Sequence, residues 1–257
     1  MRTNPVAAAD LRASFGDPGA LRAYALLLGA LAAVLYAWWP RSDLAWHLRT
    51  ATTPQTFTAV AVTLLLVMAW LNARAGAGDE RAGETPLADL VAHTPVTVAA
   101  VVSGRIAAGA VTVLFQVLLG LPFLLAALGV SGVPASALPG VLALVAAAAL
   151  AWRAAGLALR LVLPSHGALR DVLLFGASAA YLAATYVAAP AVNPLAAIVA
   201  AVGDLGRPVR TSVPLYAVSG MIAVAVLAAA TVVAAAALRA ARKSAARETH
   251  GVAGRRG

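Results

Sequence analysis

Hydrophobic residues in this chain form long unbroken blocks, unlike the alternating or one-sided patterns of soluble domains. Between Ile106 and Trp152, 47 consecutive residues contain no Asp, Glu, Lys, Arg or His. A helix needs about 20 apolar residues to cross the hydrocarbon core of a bilayer, so this block alone predicts two crossings. Six apolar segments are expected along the chain, at residues 21–39, 57–71, 106–128, 138–159, 172–189 and 214–238.

The segments predict an all-α fold. Lipid offers no hydrogen-bond partner to an exposed backbone, which favours helices. Barrel strands would alternate polar and apolar residues, and these blocks do not. We therefore expect a polytopic membrane protein with six transmembrane helices. It divides into an N-terminal cytoplasmic segment (1–20), a six-helix transmembrane domain (21–238) and a basic cytoplasmic tail (239–257).

Basic residues predict the orientation of the six helices. With the N-terminus inside, fifteen of the nineteen Lys and Arg residues fall on the cytoplasmic side, and only Arg41, Arg49, Arg207 and Arg210 fall outside. Loops that remain in the cytoplasm carry an excess of Lys and Arg. Both termini are therefore expected to be cytoplasmic.

Composition supports a membrane protein and excludes several other classes. The chain is 62% hydrophobic and 11% charged, with a mean hydropathy of +0.87. Its net charge of +9 comes almost wholly from Arg residues that flank apolar blocks, as membrane orientation requires, and not from a nucleic-acid-binding surface. The absence of Cys excludes disulfides and Cys-ligated metals. Abundant Ala and Arg with a single Lys indicate a GC-rich bacterial genome and hence a bacterial cell membrane.

Motifs for catalysis or cofactor binding are absent from the sequence. The only lysine, Lys243, precedes Ser244 but lacks the glycine-rich loop that would cradle phosphates. None of the four His residues lies at metal-ligand spacing with another His or with a carboxylate pair on one helix face. We expect no catalytic residue, metal or cofactor in this chain.

A few polar residues interrupt the apolar segments. Gln116 is the one strongly polar residue deep in the third segment, and an interhelical hydrogen bond is favoured there over a substrate contact. Tyr181 and Thr185 share a helix face that either lines a polar path or packs within the bundle. These three are the candidate translocation-path residues. The segments contain no acidic residue or His near mid-membrane, which argues against a proton-driven or sodium-driven carrier.

The connection between the second and third segments is predicted to contain a short amphipathic helix. Thr85 can cap its N-terminus, with Pro86 at the first position. Leu87, Leu90 and Val91 then form an apolar stripe at i, i+3 and i+4.

Asp89 and His93 fall on another face of this helix, and Thr94-Pro95 ends it before a second helix leads through Gly104-Arg105 into the third segment. Such a helix either lies in the headgroup layer or docks into a cytoplasmic partner.

The same connection resembles a known family. Glu80-Arg81, Gly83, Asp89-Leu90, Thr94-Pro95-Val96 and Gly104-Arg105 are similar to the E-R-x-x-G-T…E-L-L-x-x-T-P-V…G-K signature after the second helix of ABC-2 type transporter permeases. Asn193-Pro194-Leu195, after the fifth segment, resembles the N-P-L/F often found there. Arg105 replaces the usual Lys, and Glu84-Thr85-Pro86 departs from the G-T-L spacing, which leaves the subfamily open.

The resemblance implies a permease subunit that pairs with itself or a paralogue and binds two separate ATPase subunits. ATP and Mg would then bind on the ATPase, and cargo such as a lipid, glycan, drug or peptide would leave along the dimer interface. The short helix would be a coupling helix seated in a groove of the ATPase. Its implied contact residues are Leu87, Asp89, Leu90 and Val91, flanked by Glu80 and Arg81.

Two alternatives remain open from the sequence. An ion-driven secondary transporter would work as the purified chain alone. A non-transporting membrane assembly or immunity factor would need no polar chemistry inside the membrane. A neighbouring reading frame for a P-loop ATPase, with stable co-purification, would separate the exporter from both.

Overall fold

The structure is a computed structural model that describes residues 4–40, 54–78, 91, 93–163, 167–202 and 215–253. Within these ranges the secondary structure is helical and contains no strand. Six helices are long and apolar enough to cross a membrane, and the chain is an all-α, multi-pass membrane protein as predicted. The first five helices are α1 (Pro5–Gly16), α2 (Pro18–Ala37), α3 (Pro54–Ala77), α4 (Val98–Ser131) and α5 (Ala137–Val162).

The fifth spanning helix, α6, is not uniform. It consists of α-helix Gly167–Asp171, a π-helical turn at Val172–Gly176, and α-helix Ala177–Ala188. A 3₁₀ turn at Pro190–Val192 leads into the short helix α7 (Pro194–Val202), and the last helix is α8 (Leu215–Ala253).

One prediction about the helix ends is confirmed and one is wrong. Helix α4 begins at Val98, because Thr97 caps it by accepting a hydrogen bond from the Ala100 N–H, and it continues through Gly104-Arg105 into the third apolar segment as predicted. Helix α8 runs through Leu238 as far as Ala253, so the described part of the predicted basic tail is helical. Ala, Arg, Lys and Glu dominate this stretch and are strong helix formers.

The N-terminal segment is a helix that packs along α4. The Asn4 side chain caps α1 by accepting from the Val6 N–H, and its Nδ2 donates to the Ala100 carbonyl over 2.7 Å. At the other end of α1, Phe15 packs edge-on against Phe115 with ring centroids 5.1 Å apart. Helix α1 therefore runs parallel to the first half of α4.

The main core lies between α2, α3, α4, α5 and α7. Helices α3 and α5 form its most extensive contact. A Cβ at Gly156 would lie 2.3 Å from the carbonyl oxygen of Ala73, so only glycine allows this approach. Small residues that let two backbones meet are the usual basis of helix packing in membranes.

Three remote parts of the chain meet at one end of the bundle, which we call the terminal end. Arg242 in α8 donates to the carbonyls of Thr94 and Val96, at 3.4 Å each. Asn4 contacts α4 only four residues after Val96. At the opposite end, the turn end, α4 closes on Gly132, whose φ of 70° favours glycine. Asn4 and Arg242 thus lie on the same side of the bundle, as an even number of crossings between them requires.

Candidate functional site

The bundle contains a buried polar cluster, formed by Asn72 of α3, Gln116 of α4 and Arg153 of α5. Nδ2 of Asn72 donates to Oε1 of Gln116 over 2.7 Å and also to the Met68 carbonyl over 2.9 Å. Nη1 of Arg153 lies 3.5 Å from Oδ1 of Asn72. Asn72 is fully buried, and Gln116 is 4% exposed. The cluster ties the three central helices together at one level.

Arg153 lies deeper than the sequence predicted. It falls within the fourth predicted segment and was counted among the basic residues on the cytoplasmic side, and its side chain is 7% exposed inside the bundle. It is 16 residues from the turn-end start of α5, or about 24 Å at 1.5 Å per residue. That distance is less than the roughly 30 Å hydrocarbon thickness of a bilayer. Arg153 is therefore an ionisable residue inside a spanning helix, whereas the sequence argument against an ion-driven carrier considered only acidic residues and His.

Glycine makes room for the Arg153 side chain. A Cβ at Gly109 would lie 2.6 Å from Cδ and 2.7 Å from Nε of Arg153. One feature of the sequence pointed to this cluster: Asn72 is a lone amide directly after the second apolar segment.

A second arginine lies next to the cluster. Arg105 of α4 pairs with Asp10 of α1, with Nε and Oδ2 3.5 Å apart. Arg105 and Arg153 line one small cleft together with Ala75, Gly76, Ile106 and Leu157. The cleft, which we call the arginine cleft, has room for about one water molecule. It therefore holds two guanidinium groups and one neighbouring carboxylate.

The chemistry of the arginine cleft is that of charge recognition. Arginine stays protonated and donates up to five hydrogen bonds, so it binds oxyanions and does not exchange protons. Among the described residues, no group of three or more His, Asp or Glu side chains is placed so that it could hold a metal ion.

Of the three predicted path residues, Gln116 lies in the polar cluster, whereas Tyr181 and Thr185 are joined to each other on α6. Gln116 makes the interhelical hydrogen bond that the sequence favoured. The Tyr181 hydroxyl donates to the Val192 carbonyl, and the Thr185 hydroxyl donates to the Tyr181 carbonyl. Tyr181 and Thr185 thus hold the turn-end connection after α6, far along the chain and the bundle from the polar cluster.

Asn193 explains the Asn-Pro-Leu sequence in structural terms. Its Oδ1 accepts from the N–H groups of Leu195 and Ala196 at the start of α7, where Pro194 is the first residue. Its Nδ2 donates to the Leu182 carbonyl and to Thr185 Oγ1. Asn193 is fully buried and uses both ends of its amide to join α6 to α7.

The predicted coupling residues are mostly outside the described ranges. Glu80, Arg81, Leu87, Asp89 and Leu90 fall there. Val91 is described, and its side chain is 1% exposed within a cluster that includes Val98, Leu157 and Leu238. Val91 was expected to face a partner, but in this structure it faces the bundle. Val91 therefore packs the end of the connection between α3 and α4 against the bundle.

The class that these observations define is a multi-pass, all-α membrane protein with a buried arginine at its polar cluster. No family model matches the chain, and no curated protein and no solved structure matches it either.

Proposed function

We propose that the chain is the membrane-spanning permease subunit of an ATP-driven exporter of the ABC-2 type, in a bacterial cell membrane. It pairs with a second copy or a paralogue and works with separate ATPase subunits that bind ATP and Mg.

One observation carries this proposal: the position of the motif-bearing connection within the helix order. Most of the residues that resemble the ABC-2 signature lie between the second spanning helix, α3, and the third, α4, and Gly104-Arg105 follow in the first part of α4. That is the place where the family has its coupling helix. The connection ends at Thr94–Val96, which Arg242 holds at the terminal end of the bundle.

The charge distribution supports a cytoplasmic location for the terminal end. Arg74, Arg105, Arg239, Arg242 and Lys243 all lie in the terminal-end parts of their helices. Basic residues concentrate on the cytoplasmic side of membrane proteins. A soluble ATPase would then meet the connection between α3 and α4 at this surface.

The contact surface we propose is smaller than the sequence first indicated. Val91 is buried against α4, α5 and α8, so we assign it to anchoring. Leu87, Asp89 and Leu90 remain the proposed ATPase contacts, with Glu80 and Arg81 beside them.

An ion-driven carrier is the second candidate, and the buried Arg153 is the observation that favours it. Ionisable residues inside membrane proteins often mark transport pathways. Arg153, however, does not change its protonation state near neutral pH, and it is held by a neutral amide. Such a carrier would transport in vesicles that contain this chain alone, without ATP.

Affinity purification of the tagged chain from its native membranes tests the exporter. We expect a P-loop ATPase to co-purify with wild type and to be lost with Leu90→Asp. An unpaired carboxylate buried in a protein groove would cost several kcal/mol. Both proteins should be compared at equal membrane expression.

The matched control is Ser103→Asp, which adds the same charge at an exposed position of α4 near the terminal end. It should retain the ATPase. Equal recovery of the ATPase with Leu90→Asp, or no ATPase with wild type, would contradict the proposal.

A further inference from the structure

The arginine cleft carries an excess of positive charge in a poorly hydrated place. Arg153 is buried, and the only ion pair near it in the described ranges joins Arg105 to Asp10. Two arginines thus share one carboxylate. An uncompensated charge taken out of water is costly, so such a site gains free energy when an anion enters.

The ion pair between Asp10 and Arg105 is itself incomplete. Oδ2 of Asp10 and Nε of Arg105 are both buried, and neither forms a hydrogen bond with any described residue. Their separation of 3.5 Å is longer than the 2.7–2.9 Å of a good charged hydrogen bond. Buried polar atoms without partners are rare in proteins and call for an explanation such as an unseen ligand.

The depth of the cleft matches the level of lipid phosphates. Arg105 lies 26 residues before Ser131, the turn-end residue of α4, which is about 39 Å along the helix. The hydrocarbon core takes up about 30 Å, and the headgroup regions bring the bilayer to about 40–45 Å. If Ser131 is placed at the outer surface of the bilayer, Arg105 falls in the headgroup layer at the terminal end, and the Arg153 side chain reaches the same cleft from inside the bundle.

We propose that the arginine cleft binds a phosphate oxyanion between Arg105 and Arg153, and that Asp10 is an internal carboxylate that competes with it. Guanidinium groups match the geometry of phosphate with paired hydrogen bonds. The cleft is now only large enough for about one water molecule, so phosphate binding requires the Asp10 carboxylate to move away from Arg105.

Because Asp10 competes with phosphate, substitutions of the two arginines and of Asp10 should change the phosphate affinity in opposite directions. Arg105→Gln and Arg153→Gln each remove a phosphate donor and should weaken binding at least about tenfold. Asp10→Asn removes the competing charge and should strengthen binding by about three- to tenfold. If Asp10 had only a structural role, Asp10→Asn would not increase the phosphate affinity.

The experiment uses the purified full-length chain in a neutral detergent. Its thermal unfolding midpoint is measured against increasing inorganic phosphate and, separately, against dihexanoyl phosphatidic acid below its micelle concentration. We expect a saturable rise with the lipid. A rise with both probes would identify phosphate itself as sufficient, whereas a rise with the lipid alone would identify a lipid headgroup as the ligand.

The control is Arg239→Gln, an exposed arginine of α8 that does not line the cleft. It should leave both binding curves unchanged. The proposal is overturned if neither probe binds to wild type or to Asp10→Asn, or if the two cleft variants bind as wild type does. Since Arg153→Gln also disturbs the core, the gain with Asp10→Asn and the loss with Arg105→Gln decide the outcome if that variant fails to fold.

This binding is measured on the chain alone. If phosphate does not bind, the co-purification of an ATPase is unaffected. If no ATPase co-purifies, the phosphate-binding measurement is unaffected.

Discussion

Gly76 of α3 lies directly against the backbone of Arg153 in α5: a Cβ at Gly76 would stand 2.0 Å from the Arg153 carbonyl oxygen. The arginine can therefore lie inside the bundle because its helix approaches α3 at a glycine. The same close contact brings Asn72, one turn before Gly76, within reach of the guanidinium. Helix packing and the polar cluster depend on each other here.

Substituting the contact glycines should loosen the bundle. Gly76→Ala and Gly156→Ala would each force α3 and α5 apart, because the nearest atoms are backbone and cannot rotate away. Overpacking of this kind costs about 1–3 kcal/mol. Thermal unfolding in detergent should show a lower midpoint for both variants.

Gly176→Ala serves as the matched control, since its Cβ would meet nothing within 4 Å. It should unfold at or slightly above the wild-type midpoint, because alanine favours helix over glycine. A loss equal to that of Gly76→Ala would show that the close approach of α3 and α5 is not the cause.

The hydrogen bond between Asn72 and Gln116 should be measurable as a coupling energy. Asn72→Leu, Gln116→Leu and the double variant form a cycle in which the two single losses should exceed the double loss by about 0.6–1.7 kcal/mol. Asn72→Leu should be the more damaging single change because it also removes the contact with Arg153. Strict additivity would mean that the two side chains do not interact in the membrane.

The orientation can be tested with single cysteines, since the natural sequence has none. Ser136→Cys, exposed at the turn end, should react with a membrane-impermeant thiol reagent in intact cells. Ser244→Cys, exposed on α8 at the terminal end, should react only after the cells are opened. The reverse pattern of labelling would invert the topology.

Removing the side-chain amide of Asn193 should weaken the packing of α7 against α6. Asn193→Ala loses two accepted bonds at the helix N-terminus and two donated bonds to α6. Losing a helix cap costs about 0.5–2 kcal/mol, and the buried partners left unsatisfied add to this. We expect a clearly lower unfolding midpoint, compared with a change near zero for the exposed Ser103→Ala. Similar midpoints for both variants would contradict this role for Asn193.

The number and helical nature of the spans were predictable from sequence because they depend on local composition. An apolar block of about 20 residues must hydrogen-bond its own backbone in lipid, whatever its neighbours are. The role of Gln116 was also predictable, because a lone amide in an apolar helix has few other uses. The end of α8 was misplaced because polar residues that end an apolar block do not end a helix.

Sequence alone determined that this chain is an all-α membrane protein, since the free energy of placing each segment in lipid is nearly a sum over its own residues. Only the tertiary structure decided where Arg153 lies. A basic residue at the end of an apolar block is equally compatible with a solvated loop and with a buried cluster. The choice depends on Gly76 and Gly109, which lie 77 and 44 positions away and leave the volume that the arginine fills. Such complementarity between distant residues leaves no local pattern in the sequence.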